Sequence, residues 1–425
     1  MQEFDKTVFL NTTVPPGHLE WLRPFGEAAV RRGEKLYLVG GVVRDLLLKK
    51  PATDYDLVID GDVYGFCTDL TDLGAKIDAQ SQFRTMKIRF EDKILDVATS
   101  RQEHYAVPGS LPVIDPAPID VDLRRRDFKI NAMAISLLPD SFCELLDPYD
   151  GLVDLQQRRI DVLHEQSFRD DPTRILRALR YASRLGFDIG PITESYLHRD
   201  KQHITAISSD RLHNELERIF SEEGSPEILQ RIEDFGILRT ISQNLVWNDR
   251  LSKAYSSAID LYDTNMPKWD LYLALVGFDA NVNVTEGLLG DFGVTTDQSR
   301  YLIAAANFKK DVDTVVLGAT NVSSMVFALD DISLMIIMVF ALYTENADIR
   351  TILENYIENL RHVRPALEAR DLLSMGIKEG PQISGILRAL RAKRLDEGIT
   401  EECERSLVLK WADAASHEGF DPDQN

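Results

Sequence analysis

Cysteine is scarce in this chain: Cys67, Cys143 and Cys403 are the only three among 425 residues, and they form no C-x-x-C pair. That argues against a disulfide framework or a cysteine-rich zinc cluster and fits a reducing compartment, the cytoplasm. Positive charge is also in deficit, with 48 Lys and Arg against 69 Asp and Glu, a net charge of −21. A nonspecific duplex coater, a histone-like protein or a polybasic membrane binder needs the opposite field, so neither DNA nor a membrane is expected as a partner. Long apolar runs are missing too. The most apolar stretch, SLMIIMVFAL, is bracketed by Asp330, Asp331 and Glu345, and it falls short of the ~18 residues a spanning helix needs. The first residues, MQEFDKTVFLNTTVPPG, carry early acids and no apolar h-region, so they do not read as a secretory signal. No repeat of solenoid length is visible. What remains is 44% hydrophobic and 28% charged, the composition of a soluble globular protein with length for two to four domains.

The chain changes character near residue 150. Before it, KLYLVGG, DYDLVID, TMKIRFE, KILDVATS and INAMAISLL have the alternation or β-branched content of strands. VRDLLLKK reads as the helix start after the first of them. Asp-Pro and Asp-Gly in SFCELLDPYDG mark the boundary. After it, TRILRALRYASRLGF, SDRLHNELERIFSE, LYLALVGF and RTILENYIENLRHV repeat apolar residues at three- and four-residue spacing, the helical period. The segment 99–123, with Pro108, Pro112, Pro116 and Pro118, reads as a long loop. The densest basic run is Arg158–Arg184, seven Arg against four acids, which makes 124–184, with 351–400, the place to look for a polyanion.

Several clusters carry chemistry. Gly40 and Gly41 sit where a strand meets a helix, with Arg44 just inside it. Glycines there let a phosphate approach the backbone, although a Gly-Gly pair alone is more often a plain turn. Asp54 and Asp56 alternate on one strand and so present both carboxylates to one side. By itself D-x-D is a polar strand edge. Within 17 residues of the Gly-Gly turn, it points to Mg²⁺, which takes one or two carboxylates plus substrate phosphates. Asp96 is an acid on another apolar strand and could add a third carboxylate for in-line phosphoryl transfer. Arg124, Arg125, Arg126 and Asp127 precede the next apolar run, either a charged turn or a guanidinium cluster for triphosphate or ribose. Asp170, Asp171, Pro172 and Arg174 open a helix, with Asp171 as N-cap and Pro172 at its first position. Arg174, Arg177, Arg180, Tyr181 and Arg184 fall on or near one face. The acids and arginines at this spacing make ordinary helical ion pairs, or an acceptor edge and donor fork that suit a nucleobase. Ser209, Asp210, Arg211 and Glu215 look like a second capped helix bracing the first.

Together these elements resemble the class II tRNA nucleotidyltransferase and poly(A) polymerase family. The resemblance runs from LVGGVVRDLL and DYDLVID through LDVATSRQEHY, DLRRRDFKINAMAISL and LLDPYDGLVDL to SFRDDPTRILRALRYASRLGF and SDRLHNELERI, roughly residues 35–220. A weaker one returns at ARDLLSMGIKEGPQISGILRAL, similar to the tail of bacterial members. It implies an α+β fold: a polymerase-β-like head with a mixed or antiparallel sheet (1–150), then an all-α neck with the base-recognition motif (151–224), body (225–345) and tRNA-binding tail (346–425). It further implies that Asp54 and Asp56 are catalytic and hold Mg²⁺, with Asp96 a third acid, and that Gly40, Gly41 and Arg44 bind phosphate. Arg125, Arg126, Asp127 and Asn131 would hold the ribose and nucleotide. Asp170, Asp171 and Arg174, with Arg177 and Arg180 behind them, would read the base in place of a template. Lys129 stands where the family usually has Thr, and Asp170 where it often has Glu.

The implied reaction is transfer of nucleotides from CTP and ATP to the 3′ end of tRNA, building CCA with release of pyrophosphate. The alternatives are addition of the terminal A alone, which the PGSLP segment would suit, and CC alone, placed last because the 99–123 segment is long. Poly(A) polymerase lacks support in a chain without a basic C-terminal extension. A non-catalytic RNA-binding protein would not be expected to keep Asp54, Asp56 and Arg174. A fused metal-dependent phosphohydrolase is rejected for want of any adjacent His-Asp pair.

Overall fold

The β-branched runs of the first 150 residues fold into strands β1 (Lys35–Val39), β2 (Tyr55–Asp60), β3 (Lys76–Ser81), β4 (Thr85–Phe90), β5 (Lys93–Thr99), β6 (Arg101–His104), β7 (Val113–Pro116), β8 (Ala134–Ser136) and β9 (Leu145–Leu146). The computed structural model describes residues 18–51, 54–81, 84–104, 112–243, 245–261, 267–279 and 296–415. They belong to two compact units, Met1–Ile241 and Ser242–Asn425. That division lies inside the segment 225–345 expected as the body.

In the first unit seven strands form one sheet in the order β3-β4-β5-β2-β1-β8-β9. All its neighbours are antiparallel except β2 and β5, which run parallel. The sheet is therefore mixed, as expected. Alternation divides its faces. Leu36, Leu38, Leu57 and Ile59 are buried on the side of helices Arg23–Arg31 and Val63–Thr71. Tyr37, Val39 and Val58 face the other way and pack with Ile119 and Leu123. Asp56 shares the face of Val58, so the same periodicity that builds the core leaves its carboxylate on the side that opens to a cavity.

The expected loop 99–123 is not a loop throughout. Strands β6 and β7 pair as an antiparallel ribbon, and a helix follows at Ile119–Arg124. Pro116 ends the edge strand β7 and Pro118 immediately precedes the helix, two places where a missing N–H and a fixed φ do no harm. Residues 105–111, with Pro108 and most of PGSLP, lie outside the described residues.

The rest of the first unit is almost all helical, interrupted by a two-residue parallel pair, Arg159–Ile160 with Asp188–Ile189. Helix Thr173–Leu185 starts one residue later than expected, with Pro172 as its flanking residue, and Asp171 still caps it by accepting the Thr173 N–H at 3.1 Å. Gly186, at φ +67°, ends it in the left-handed conformation that glycine adopts without steric cost. Ser209–Ser221 packs against this helix.

Among the described residues of the second unit, the regular elements are all helices. One core is aromatic, with the Phe278 ring 5.0 Å from Phe340 and 5.1 Å from Tyr343. Another gathers Leu367, Leu372, Ile386, Leu390, Val408 and Trp411. Its buried acid, Glu404, accepts from the Ala366 and Leu367 N–H groups and pairs with Arg394. The apolar stretch SLMIIMVFAL becomes the ten-residue helix Leu334–Tyr343, bent 112° from Val322–Asp330. Among the described residues no single helix is long and apolar enough to cross a membrane.

Candidate active site

Strand β1 ends at Val39, and the chain turns at Gly40 with φ +79° and ψ −139°. A Cβ there would lie 2.9 Å from Arg126 Nη1 and 3.7 Å from Asp56 Oδ2, so both conformation and space call for glycine. Gly41 opens a seven-residue helix, Gly41–Leu47. Gly40, Gly41, Asp54, Asp56 and Arg126 line one cavity of about 370 Å³, joined by Asp127, Asn131 and Arg177 from the following segment and helix.

Burial pushes the Asp56 carboxyl up to about 6; Arg126 opposes the rise, while Asp96 and Asp54 add to it. Asp96 stands in register beside Asp56 on the parallel strand β5. Its carboxylate is half-exposed, 3.7 Å from Lys87 Nζ, and it does not line the cavity. Among the described residues no three acids come close enough to hold an ion by themselves. Asp54 and Asp56 nevertheless fit a hard cation. A carboxyl raised by burial, and further by its acidic neighbours, gains from a positive charge, and two carboxylates leave coordination positions for substrate oxygens.

Behind the cavity the arginines and acids interlock. Asp127 accepts from the Phe128 N–H and the Asn131 amide, both at 2.9 Å, and from Arg177 at 2.6 and 3.1 Å. Burial alone would raise its carboxyl, but Arg177, Asn131 and Arg174 outweigh that and hold it at about 2. Burial would lower Arg177, but Asp127, Tyr181 and Glu215 outweigh it and raise it. Arg44 is only 2% exposed. It donates to Asn131 Oδ1 at 2.6 Å and through two nitrogens to Asp45. The expected phosphate ligand is thus already committed to protein partners.

The expected base-reading residues are not all gathered there. Asp170 and Arg174 line a second cavity of about 530 Å³, together with Arg125, Glu103 and His164. Arg174 is buried and donates to Ser167 Oγ and to the Arg125 carbonyl, both at 2.7 Å. Asp171 accepts from Thr173 Oγ1 and from Arg211, both at 2.7 Å, which is the bracing expected of the Ser209–Ser221 helix. Arg177, one turn on, reaches the first cavity. Arg180 lines neither and pairs with Glu215 and Glu222.

The Arg-rich run is not the open basic strip its composition predicts. Arg125, Arg126, Arg159, Arg169, Arg177, Arg180 and Arg184 each lie within 4.0 Å of a carboxylate. For Arg169, Arg177, Arg180 and Arg184 the acids come from elements distant in sequence, which a count along the chain does not pair with them. Asp122 is the chief residue that sequence reasoning missed. It is fully buried and accepts from the Arg101 N–H, Arg125 and Arg126. Burial would raise it, yet Arg126 and Arg125 keep it lowered. Its position three and four residues before those arginines on a short helix was the available signal.

Comparison with known proteins agrees with this geometry. Residues 36–161 match the family described as Poly A polymerase head domain, and residues 186–245 match the one described as Probable RNA and SrmB- binding site of polymerase A. The chain is 31% identical to the A-adding tRNA nucleotidyltransferase of Halalkalibacterium halodurans over 94% of this chain and 93% of that protein. It is 30% identical to the protein of the same name from Geobacter sulfurreducens over 96% of this chain, but spans only 48% of that longer relative. Among solved structures, the Thermotoga maritima CCA-adding enzyme complexed with tRNA matches with a TM-score of 0.78 and 25% identity, over 96% of this chain and 98% of that one. A CCA-adding enzyme with ATP matches with a TM-score of 0.79 and 25% identity, over 97% of each. With its mixed-sheet head, its helical remainder and this extent of identity, the chain belongs to the tRNA nucleotidyltransferase and poly(A) polymerase family.

Proposed function

We propose that this chain transfers nucleoside monophosphates from CTP and ATP to the 3′-hydroxyl of tRNA, building CCA and releasing pyrophosphate. The observation that carries this reading is the shared cavity of Asp54, Asp56, the Gly40 turn and Arg126. Two carboxylates, a close backbone approach and a guanidinium are the parts that in-line phosphoryl transfer needs, and no covalent nucleophile is required. Asp54 and Asp56 would hold Mg²⁺, which when bound lowers the pKa of the attacking hydroxyl and offsets phosphate charge. Asp96 adds negative potential beside Asp56. Gly40 and Gly41 admit the phosphates, and Arg126 donates to them. Arg44, Asn131, Asp127 and Arg177 form a rigid polar wall for the sugar, and Arg125 is held behind it by Glu103 and Asp122. Asp170, Asp171 and Arg174 offer acceptors and donors to the base, with Arg177 and Arg180 fixing their helix.

We assign residues 1–150 as the nucleotidyltransferase head, 151–224 as neck, 225–345 as body and 346–425 as the tRNA-binding tail. The sheet's last strand at Leu146 supports the first boundary, and the separate core from Leu367 to Trp411 supports a distinct tail. Three free cysteines suit a cytoplasmic enzyme.

A second reading, addition of the terminal A alone, is favoured by one observation: the H. halodurans protein, similar over nearly the whole chain, is named A-adding. One assay separates the two. Purified protein is incubated with tRNAs ending before CCA, after C and after CC, with ATP, CTP or both, and the 3′ ends are sequenced. Full CCA on the shortest tRNA supports the first reading. Extension of the CC-ending tRNA alone supports the second, and no extension refutes both. Asp54→Ala should abolish extension while leaving the chain folded; near-normal turnover would overturn the site assignment.

A further inference from the structure

The arginines around the Asp54 and Asp56 cavity are not equivalent. Arg44 and Arg177 are committed to protein acceptors, as described. Arg126 donates to Asp122 at 3.1 Å and keeps its Nη1 on the Gly40 and Asp56 side. Arg184 differs from all three. Its guanidinium makes no hydrogen bond among the described residues. The carboxylates of Glu222 and Asp45 stand off at 3.7 and 4.0 Å, and its side chain is 38% exposed. It lies beside Tyr181, 5.6 Å from the ring centre, and lines both this cavity and an adjoining one of about 420 Å³ that holds Ser183 and Gly224.

Both carboxylates are engaged by closer donors, Asp45 by Arg44 at 2.9 Å and Glu222 by Arg180 at 3.2 Å, so their longer contacts to Arg184 are exchanged readily for charge-assisted bonds to phosphate. The reacting α-phosphate must lie at Asp54 and Asp56, with Arg126 beside it. Among the described residues that line the cavity, Arg184 is the arginine whose guanidinium makes no hydrogen bond. From this geometry we infer that Arg184 binds the distal phosphates of the incoming triphosphate and the departing pyrophosphate. The inference rests on the nucleotidyl-transfer reading above. As the 3′-oxygen bonds to the α-phosphorus, the bond from that phosphorus to the bridging oxygen breaks. Its electron pair goes to pyrophosphate and the hydroxyl proton goes to solvent. The new charge forms on the leaving group, where a planar guanidinium fork meets it.

The test compares wild type with Arg184→Gln and Arg184→Lys. It measures KM for ATP and CTP, inhibition by pyrophosphate and by AMP, and tRNA affinity. Loss of a charge-assisted bond predicts that Arg184→Gln raises both KM values and the pyrophosphate inhibition constant by about tenfold or more. Arg184→Lys should recover part of this. AMP has no distal phosphates, so its inhibition should be unchanged, as should tRNA affinity. Unchanged pyrophosphate inhibition in Arg184→Gln, with an active wild type, overturns the inference alone. Equal weakening for AMP and pyrophosphate also overturns it, since that marks a change of cavity shape. A wild type that extends no tRNA overturns the nucleotidyl-transfer reading and this inference with it.

Discussion

Asp56→Asn removes a charge that the fold holds against its preference, and the consequence for stability is opposite to that for activity. The Asp56 carboxyl has an ordinary value of 3.8 and is raised to about 6 in the folded chain, mainly by burial. A carboxyl raised on folding favours the native state while it is protonated, below 3.8, and that contribution is lost as pH rises through 6. Above pH 7 the wild type therefore carries a penalty of about 3 kcal/mol relative to a neutral side chain. The variant should be more stable than wild type at pH 8, by up to that amount, and about equal to it at pH 4. Because the chain has two compact units, the readout must belong to the first. Urea-dependent hydrogen exchange of the Tyr55–Asp60 amides, in EDTA, reports on the strand that carries Asp56. The gain should grow between pH 4 and pH 7 and then level off. A difference that does not change with pH, or a wild type more stable than the variant at pH 8, would refute the argument. Extension of tRNA should be lost in the same variant, so the residue is placed at a cost to stability.

Asp127→Asn should act in the other direction. With its carboxyl held at about 2, Asp127 stabilises the fold above its ordinary value of 3.8, and the contribution is lost as pH falls toward 2. At pH 7 the variant leaves Arg177 short of its partner, a loss of about 2–3 kcal/mol that denaturation of the first unit should show and that should shrink between pH 4 and pH 2. Gly40→Ala places a methyl group 2.9 Å from Arg126 Nη1 in a backbone conformation strained for an alanine, costing about 1–3 kcal/mol. Its kcat/KM should fall steeply while tRNA affinity, measured by filter binding, stays near wild type. Equal loss of both would place Gly40 in the fold rather than the site.

Much of the site was legible because strand alternation is a local rule. D-Y-D in extended chain places two acids on one side; β2 itself starts at Tyr55, with Asp54 the residue just before it, and both acids line the same cavity. The Gly40 turn was legible for a similar reason, since a strand followed by two glycines and a helical run has few conformations open to it. Segment 99–123 was misread because its prolines suggested irregular chain, whereas Pro116 and Pro118 stand at element ends, where they are tolerated. Partnership was not legible. Glu215 meets Arg177 and Arg180 across two packed helices, and Glu103 meets Arg125 from a ribbon twenty-two residues away.

The sequence by itself determined the order of elements, the side of the strand that bears the carboxylates and the excess of acid behind the net charge of −21. Each depends on neighbours within a few residues. Only the tertiary structure decided which charges remain available. It neutralised most of the Arg-rich run, seated Arg44 on Asp45 and Asn131, separated Arg174 from the Asp56 cavity and, among the described residues, left Arg184 with carboxylates only beyond hydrogen-bond distance. Charge pairing depends on distance in space and on burial, and neither is written in a count of arginines along the chain.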